Sequence, residues 1–211
     1  MSRVPSTEPK TDTKEQILNA AERQFALFGF AGASLRAVTR DANVNLAAVH
    51  YHFGSKEELF KAVVQRVAEP IVREQMRHLD ELENFDPNPS VVDIVQAFVA
   101  RPLEMILKQR GESCYVHAQF VGRCRTEPRP IQELAEVEFN PSHQRFLELI
   151  HKALPHQSFT ELEWKLDLIV AMIVRVLKQT EYSDPLSEKS DQEIDNLIQR
   201  LVRFILSGIS A

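Results

Sequence analysis

Apolar residues recur three and four positions apart along most of this chain, the spacing of one buried helix face. Ile17, Leu18, Ala21, Phe25 and Phe28 form the first stripe. It opens at Asp12 or Thr13, with Thr13 and Gln16 at capping-box spacing, and Gly29 and Gly32 close it. Leu35, Val38 and Ala42 make a short second stripe, and Val49 with Phe53 a third. A longer fourth stripe runs through Phe60, Val63, Val64, Val67 and Ile71, starting behind the capping pair Ser55 and Glu58. Pro70 interrupts it; a proline inside a helix removes one hydrogen bond and crowds the preceding turn, so a kink or break is expected over residues 66–70.

Further helices are predicted over residues 90–108, 112–125, 129–154, 159–181 and 191–208. The polar, proline-bearing residues 83–90, Gly111, the pair Pro128 and Pro130, Pro155 and the polar run 183–190 separate them. Pro102 and Pro141 are expected to bend or interrupt two of these helices, and Thr160 with Glu163 and Ser190 with Glu193 stand as capping boxes. No stretch alternates like a strand and no repeat is visible. The fold class expected is all-α.

Composition agrees: only 6 Gly accompany 44% hydrophobic residues, which favours helices over a turn-rich β fold. No apolar run is long enough to span a bilayer and no signal-peptide core stands near Met1, so a cytoplasmic protein without a membrane partner is expected. Two cysteines, Cys114 and Cys124, make no disulfide framework. The net charge of −5 conceals a division. Residues 1–66 carry nine Lys/Arg against seven Asp/Glu, and residues 67–211 carry 16 against 23. A mildly basic head on an acidic body suits a nucleic-acid-binding domain joined to something else.

Within that head, residues 34–58 read as two short helices around a tight turn, then the start of a longer helix. Asn43 suits the left-handed backbone of a sharp helix stop, Val44 plugs the angle between the helices, and Asn45 caps the second. The outward side of that second helix is unlike a solvated surface. Leu46, Ala47 and Ala48 are small or apolar, and His50, Tyr51 and His52 follow in a row. Small residues at a helix start let its backbone approach a flat partner, and the rings can bond phosphates or base edges. With Ser34, Arg36, Asn45 and Lys56 these residues form the candidate DNA-binding set.

The run NVNLAAVHYHFGSKEELF resembles the recognition helix of the TetR family of bacterial repressors, closest to a subgroup reading NLAAVNYHFGSKE. The resemblance covers about residues 13–66. Asn43 replaces the family's usual Gly, and His50 stands where the subgroup often has Asn, which leaves its base preference open. Residues 1–11 are polar, with Pro5 and Pro9, and are expected to form a disordered tail. The resemblance implies a helix-turn-helix domain over 12–66 and an effector-binding and dimerisation domain over 67–211. It also implies a palindromic DNA operator, homodimers and a small apolar or acyl-type effector.

In the second domain Phe98, Met105, Tyr115, Phe120, Phe146 and Met172 are candidate effector contacts, each equally able to fill a core. Arg175 and Lys178 lie in the apolar run LDLIVAMIVRVLKQ, where a cation calls for either an intersubunit acid or an anionic ligand. The last two helices are apolar over more than one stripe, enough to bury two faces and form a two-subunit four-helix bundle. No catalytic motif appears. Cys114, His117 and Cys124 share one predicted helix, which cannot wrap a tetrahedral ion, so no metal or cofactor is expected. The rival reading is a small-molecule carrier or enzyme with an incidental helix-turn-helix.

Overall fold

A computed structural model describes residues 12–108, 112–178 and 190–210, with all their side chains except those of residues 112–115 and 178. Arg3 and Lys10 of the expected tail, Gly111, the expected helix end near residue 181 and the run 183–189 lie outside the described residues. The elements are α1 (Thr13–Gly32), α2 (Leu35–Asp41), α3 (Leu46–Phe53), α4 (Lys56–Phe85), α5 (Val91–Val95), a π-helical segment (Gln96–Ala100), α6 (Arg101–Lys108), α7 (Glu112–Cys124), α8 (Ile131–Ala153), α9 (Phe159–Lys178) and α10 (Asp191–Ile209). Among the described residues there is no strand, and the fold is all-α with an N-terminal helix-turn-helix and a C-terminal helical domain.

Local chemistry sets most helix ends. Asp12 accepts from the Lys14 amide and starts α1, in place of the Thr13 box. Ser34, Asn45, Ser55 and Ser90 each accept from the amide three residues on. Ser190 and Glu193 close a full capping box. Ser158, two residues ahead of Thr160, accepts from the Glu161 amide and caps α9. Gly29 breaks α1 at φ 70°, ψ 177°, a backbone region open almost only to glycine.

The head core is aromatic. Phe25 and Phe30 stack at 6.2 Å, and Phe60 meets both edge-on at 5.1 and 5.5 Å. Phe120 of α7 reaches Phe60 at 5.7 Å, so the body packs directly into this cluster. α4 runs from head to body between α1 and α8, and α7 lies between α1 and α9.

Pro70 and Pro102 act differently, and Pro102 interrupts its helix as expected. α4 continues through Pro70 as one helix to Phe85, so the break expected over 66–70 is absent. Along its length α4 packs on both α1 and α8. The helix expected over 90–108 is instead three segments. Pro102 has no N–H to offer the Phe98 carbonyl four residues back, and that carbonyl accepts from the buried Gln75 side chain of α4 at 3.0 Å. Ser142 of α8 donates to the other end of Gln75 at 2.8 Å. The Arg101 amide reaches back five residues to Gln96, which makes the turn a π-helix.

Candidate nucleic-acid interface and the cavity behind it

The turn between α2 and α3 fixes how α3 is shown to solvent. Asn43 is left-handed at φ 53°, the Val44 amide bonds the Thr39 carbonyl at 3.0 Å, and the Asn43 amide bonds Arg40 at 3.2 Å. These bonds end α2 in a Schellman turn. Val49 and Phe53 face inward, while Leu46, Ala47, His50 and Tyr51 face solvent, Tyr51 with 85% of its surface free. Ala48 and His52 are half-buried, and the His52 ring meets Tyr51 edge-on at 5.1 Å. Ser34, Arg36 and Asn45 are exposed beside them.

His50 is tied back to its own helix. Its Nδ1 lies 2.8 Å from the Gly54 carbonyl. A carbonyl only accepts, so Nδ1 carries the proton and a neutral ring keeps Nε2 as an acceptor. Lys56 opens α4 with its ammonium 4.6 Å from the centre of the Phe30 ring. Burial holds its pKa below the ordinary lysine value, while the Glu127 charge acts in the opposite sense.

Glu127 belongs to the body and touches the head. It is buried in the turn after α7, and its carboxylate accepts from the Phe30 amide at 3.1 Å, immediately after the break at Gly29. Arg123 pairs with it at 3.4 Å. A second junction lies further along α1. Glu22, 4% exposed, bonds Arg66 of α4 and lies 2.5 Å from Nδ1 of His117 of α7. Arg66 also donates to Asn19 at 2.8 Å. The head is therefore held by α4 and by two polar clasps from α7 and the turn beyond it.

Behind the clasps lies a cavity of about 60 Å³ between α4, the π segment, α6, α7, α8 and α9. Its wall is apolar, including Ile71, Phe98, Leu103 and Val121, except at Arg125 and His143. Of the candidate effector contacts, Phe98 lines this cavity. Phe146 lies behind it, 4.4 Å from Phe98, and Phe120 lies in the core against Phe60. Met105 is partly buried on the core's edge. The Tyr115, Cys114 and Lys178 side chains lie outside the described residues.

Met172 and Arg175 line another feature. This is an open groove of about 500 Å³ on α9 and α10, together with Trp164, Leu168, Phe204 and Gly208. Trp164, Leu168 and Phe204 are exposed there, whereas Ile198, Leu201 and Val202 of α10 face the subunit's own core. Cys124 is buried among apolar neighbours, which pushes its thiol pKa up and keeps it a thiol rather than a thiolate. Among the described residues no cluster of His, Cys, Asp or Glu is arranged to hold a metal ion, and no helix is long and apolar enough to cross a membrane.

Residues 17–63 match the sequence profile described as bacterial regulatory proteins, tetR family, and residues 96–208 match the tetracyclin repressor-like C-terminal domain. The HTH-type transcriptional dual regulator CecR of Shigella flexneri is 29% identical over 140 residues, 65% of this chain and 62% of CecR. The HTH-type nicotine-responsive transcriptional repressor HdnoR of Paenarthrobacter nicotinovorans is 24% identical over 189 residues, 89% of this chain and 92% of HdnoR. A TetR-like transcriptional regulator from Rhodococcus sp. RHA1 shares the fold at a TM-score of 0.61 and 20% identity, over 98% of this chain and 100% of that one.

Proposed function

From the premise that the chain belongs to the TetR family of bacterial regulatory proteins, we propose that it is a ligand-responsive repressor that binds a palindromic operator as a homodimer. The observation that carries this reading is the outward face of α3. Its first turn is small and apolar, its rim holds His50 and Tyr51, and its start is capped and free. Such a helix enters a major groove N-terminus first. Residues 12–66 form the DNA-binding head and residues 67–211 the effector-binding and dimerisation body, with no catalytic role.

The release mechanism follows from shared parts. Val121 and Arg125 line the cavity at one end of α7, and Arg123 and Glu127 in the same stretch hold the head at Phe30. A ligand that widens the cavity moves this stretch. The shift passes to the Phe30 amide and to Lys56 above its ring, and the spacing of the two α3 helices in the dimer changes. HdnoR, by its name, answers to nicotine; a response to a small molecule of another kind is proposed for this chain.

Two substitutions test the DNA assignment. Tyr51→Phe removes one hydroxyl from an exposed ring and is expected to weaken duplex binding about tenfold, the worth of one hydrogen bond to a charged group. Lys56→Ala is expected to lower the slope of log affinity against log salt by about 0.9, the counterion release of one phosphate contact. Fluorescence anisotropy across a salt series reads both. An unchanged slope for Lys56→Ala removes Lys56 from the phosphate contacts.

A further inference from the structure

The two polar groups in the cavity wall narrow the chemistry of what fills it. His143 lies between aromatic neighbours, with Phe98 at 5.9 Å and Phe139 at 6.2 Å. Burial, with a smaller contribution from the nearby Arg125 charge, pushes its pKa down to about 4, so the imidazole is neutral at ordinary pH. Among the described residues neither ring nitrogen has a hydrogen-bond partner. Arg125 is poorly matched as well. Its side chain is mostly buried, and its carboxylate contact, Asp167, is 3.8 Å away and 79% exposed. That separation is too long for a hydrogen bond. A guanidinium without a close acceptor and an imidazole without a partner thus share one apolar cavity.

These groups sort ligands by charge. A cationic ligand would meet Arg125 as a like charge in a dry site. A purely apolar ligand would remove water from both groups and give nothing back, and a buried polar group left unpaired is costly. A carboxylate satisfies both, since it accepts from the guanidinium and from an imidazole N–H. We propose that this cavity binds a small amphipathic monoanion, a carboxylate on a compact apolar body, with Arg125 as counter-charge and His143 as the second donor. The proposal rests on the reading of the body as an effector domain and gives that effector its chemical class. The present volume of about 60 Å³ is well below the roughly 150 Å³ that encloses benzene. A ligand of that size therefore widens the cavity as it enters, which is the movement the release mechanism needs.

The test is calorimetric titration of the full chain, without DNA, with two matched series: butanoate, butan-1-ol and butylamine, then benzoate, benzyl alcohol and benzylamine. The carboxylate of at least one series is expected to bind at least tenfold more tightly than its alcohol, and the amine not at all. Arg125→Gln is expected to abolish that preference while leaving the alcohol's affinity within twofold, which also shows that the variant is folded. His143→Phe is expected to weaken the carboxylate severalfold. Equal or tighter binding of an alcohol or amine, a preference that survives Arg125→Gln, or no carboxylate binding in either series overturns the proposal. Duplex binding measured separately keeps the two readings apart. A carboxylate that binds through Arg125 without changing duplex affinity upholds the ligand class and removes its role as effector.

Discussion

Phe204→Glu is expected to leave the subunit folded and to abolish the dimer. Phe204 is 70% exposed within the subunit, at the groove shared with Trp164, Leu168 and Met172. So large an exposed apolar surface marks a contact site. A face made of two helices is covered most simply by the same face of a second copy, giving a four-helix bundle about a two-fold axis. Gly208, with open space where a side chain would stand, leaves room for close approach. A carboxylate placed in that dry seam costs several kcal/mol with no partner. Sedimentation at micromolar concentration should show monomers. Operator affinity should fall more than 100-fold, because two heads no longer bind as one unit. Helix content should change little, since the subunit's own core uses Ile194, Ile198 and Val202 from the other side of α10. An intact dimer would remove this groove from the interface. Leu201→Glu would not make the same test, because Leu201 is 9% exposed and faces the subunit's core.

Gly29→Ala is expected to be strongly destabilising. At φ 70°, ψ 177° an alanine is strained by about 1–3 kcal/mol. Its methyl would also stand 2.6 Å from a Glu127 carboxylate oxygen and 2.8 Å from the Arg123 guanidinium. Making room for it separates Glu127 from the Phe30 amide. The combined loss is roughly 2–4 kcal/mol, and at about 2–4 °C per kcal/mol the melting temperature should fall by roughly 5–15 °C. Scanning calorimetry reads this directly. A fall under 2 °C would mean that the break in α1 is adaptable and the Glu127 clasp is not fixed by it.

Much of the head was legible in the sequence because its determinants are local. Asn43, Asn45 and Ser55 each act on backbone within three residues, and the structure shows each in the role its type suggests. The body was less so, because its determinants lie far apart in the chain. Pro102 signalled a disturbance, but that it became a π turn depends on Gln75, 23 residues earlier, taking the freed carbonyl. Pro70 carried the same local signal, and α4 continues through it without a break while packing on two neighbours. Apolar spacing found the faces of α9 and α10 but not which face looks outward. Met172 and Arg175 therefore sit on the open groove rather than beside Phe98. Arg125, Glu127 and His143 were not singled out at all. Each is an ordinary polar residue in sequence, and what distinguishes it is burial and the absence or presence of a partner across the fold.

The central claim is that two copies of α3 read one duplex together. Selection of bound duplexes from a random-sequence pool by the full chain tests it most directly. Enrichment of an inverted repeat is expected, with half-sites centred about one helical turn or a multiple of it apart. The same selection with Tyr51→Phe should recover the same sequence at lower yield, since a phosphate contact carries no sequence information. No enriched sequence, or a single half-site bound as tightly as the repeat, would contradict the account.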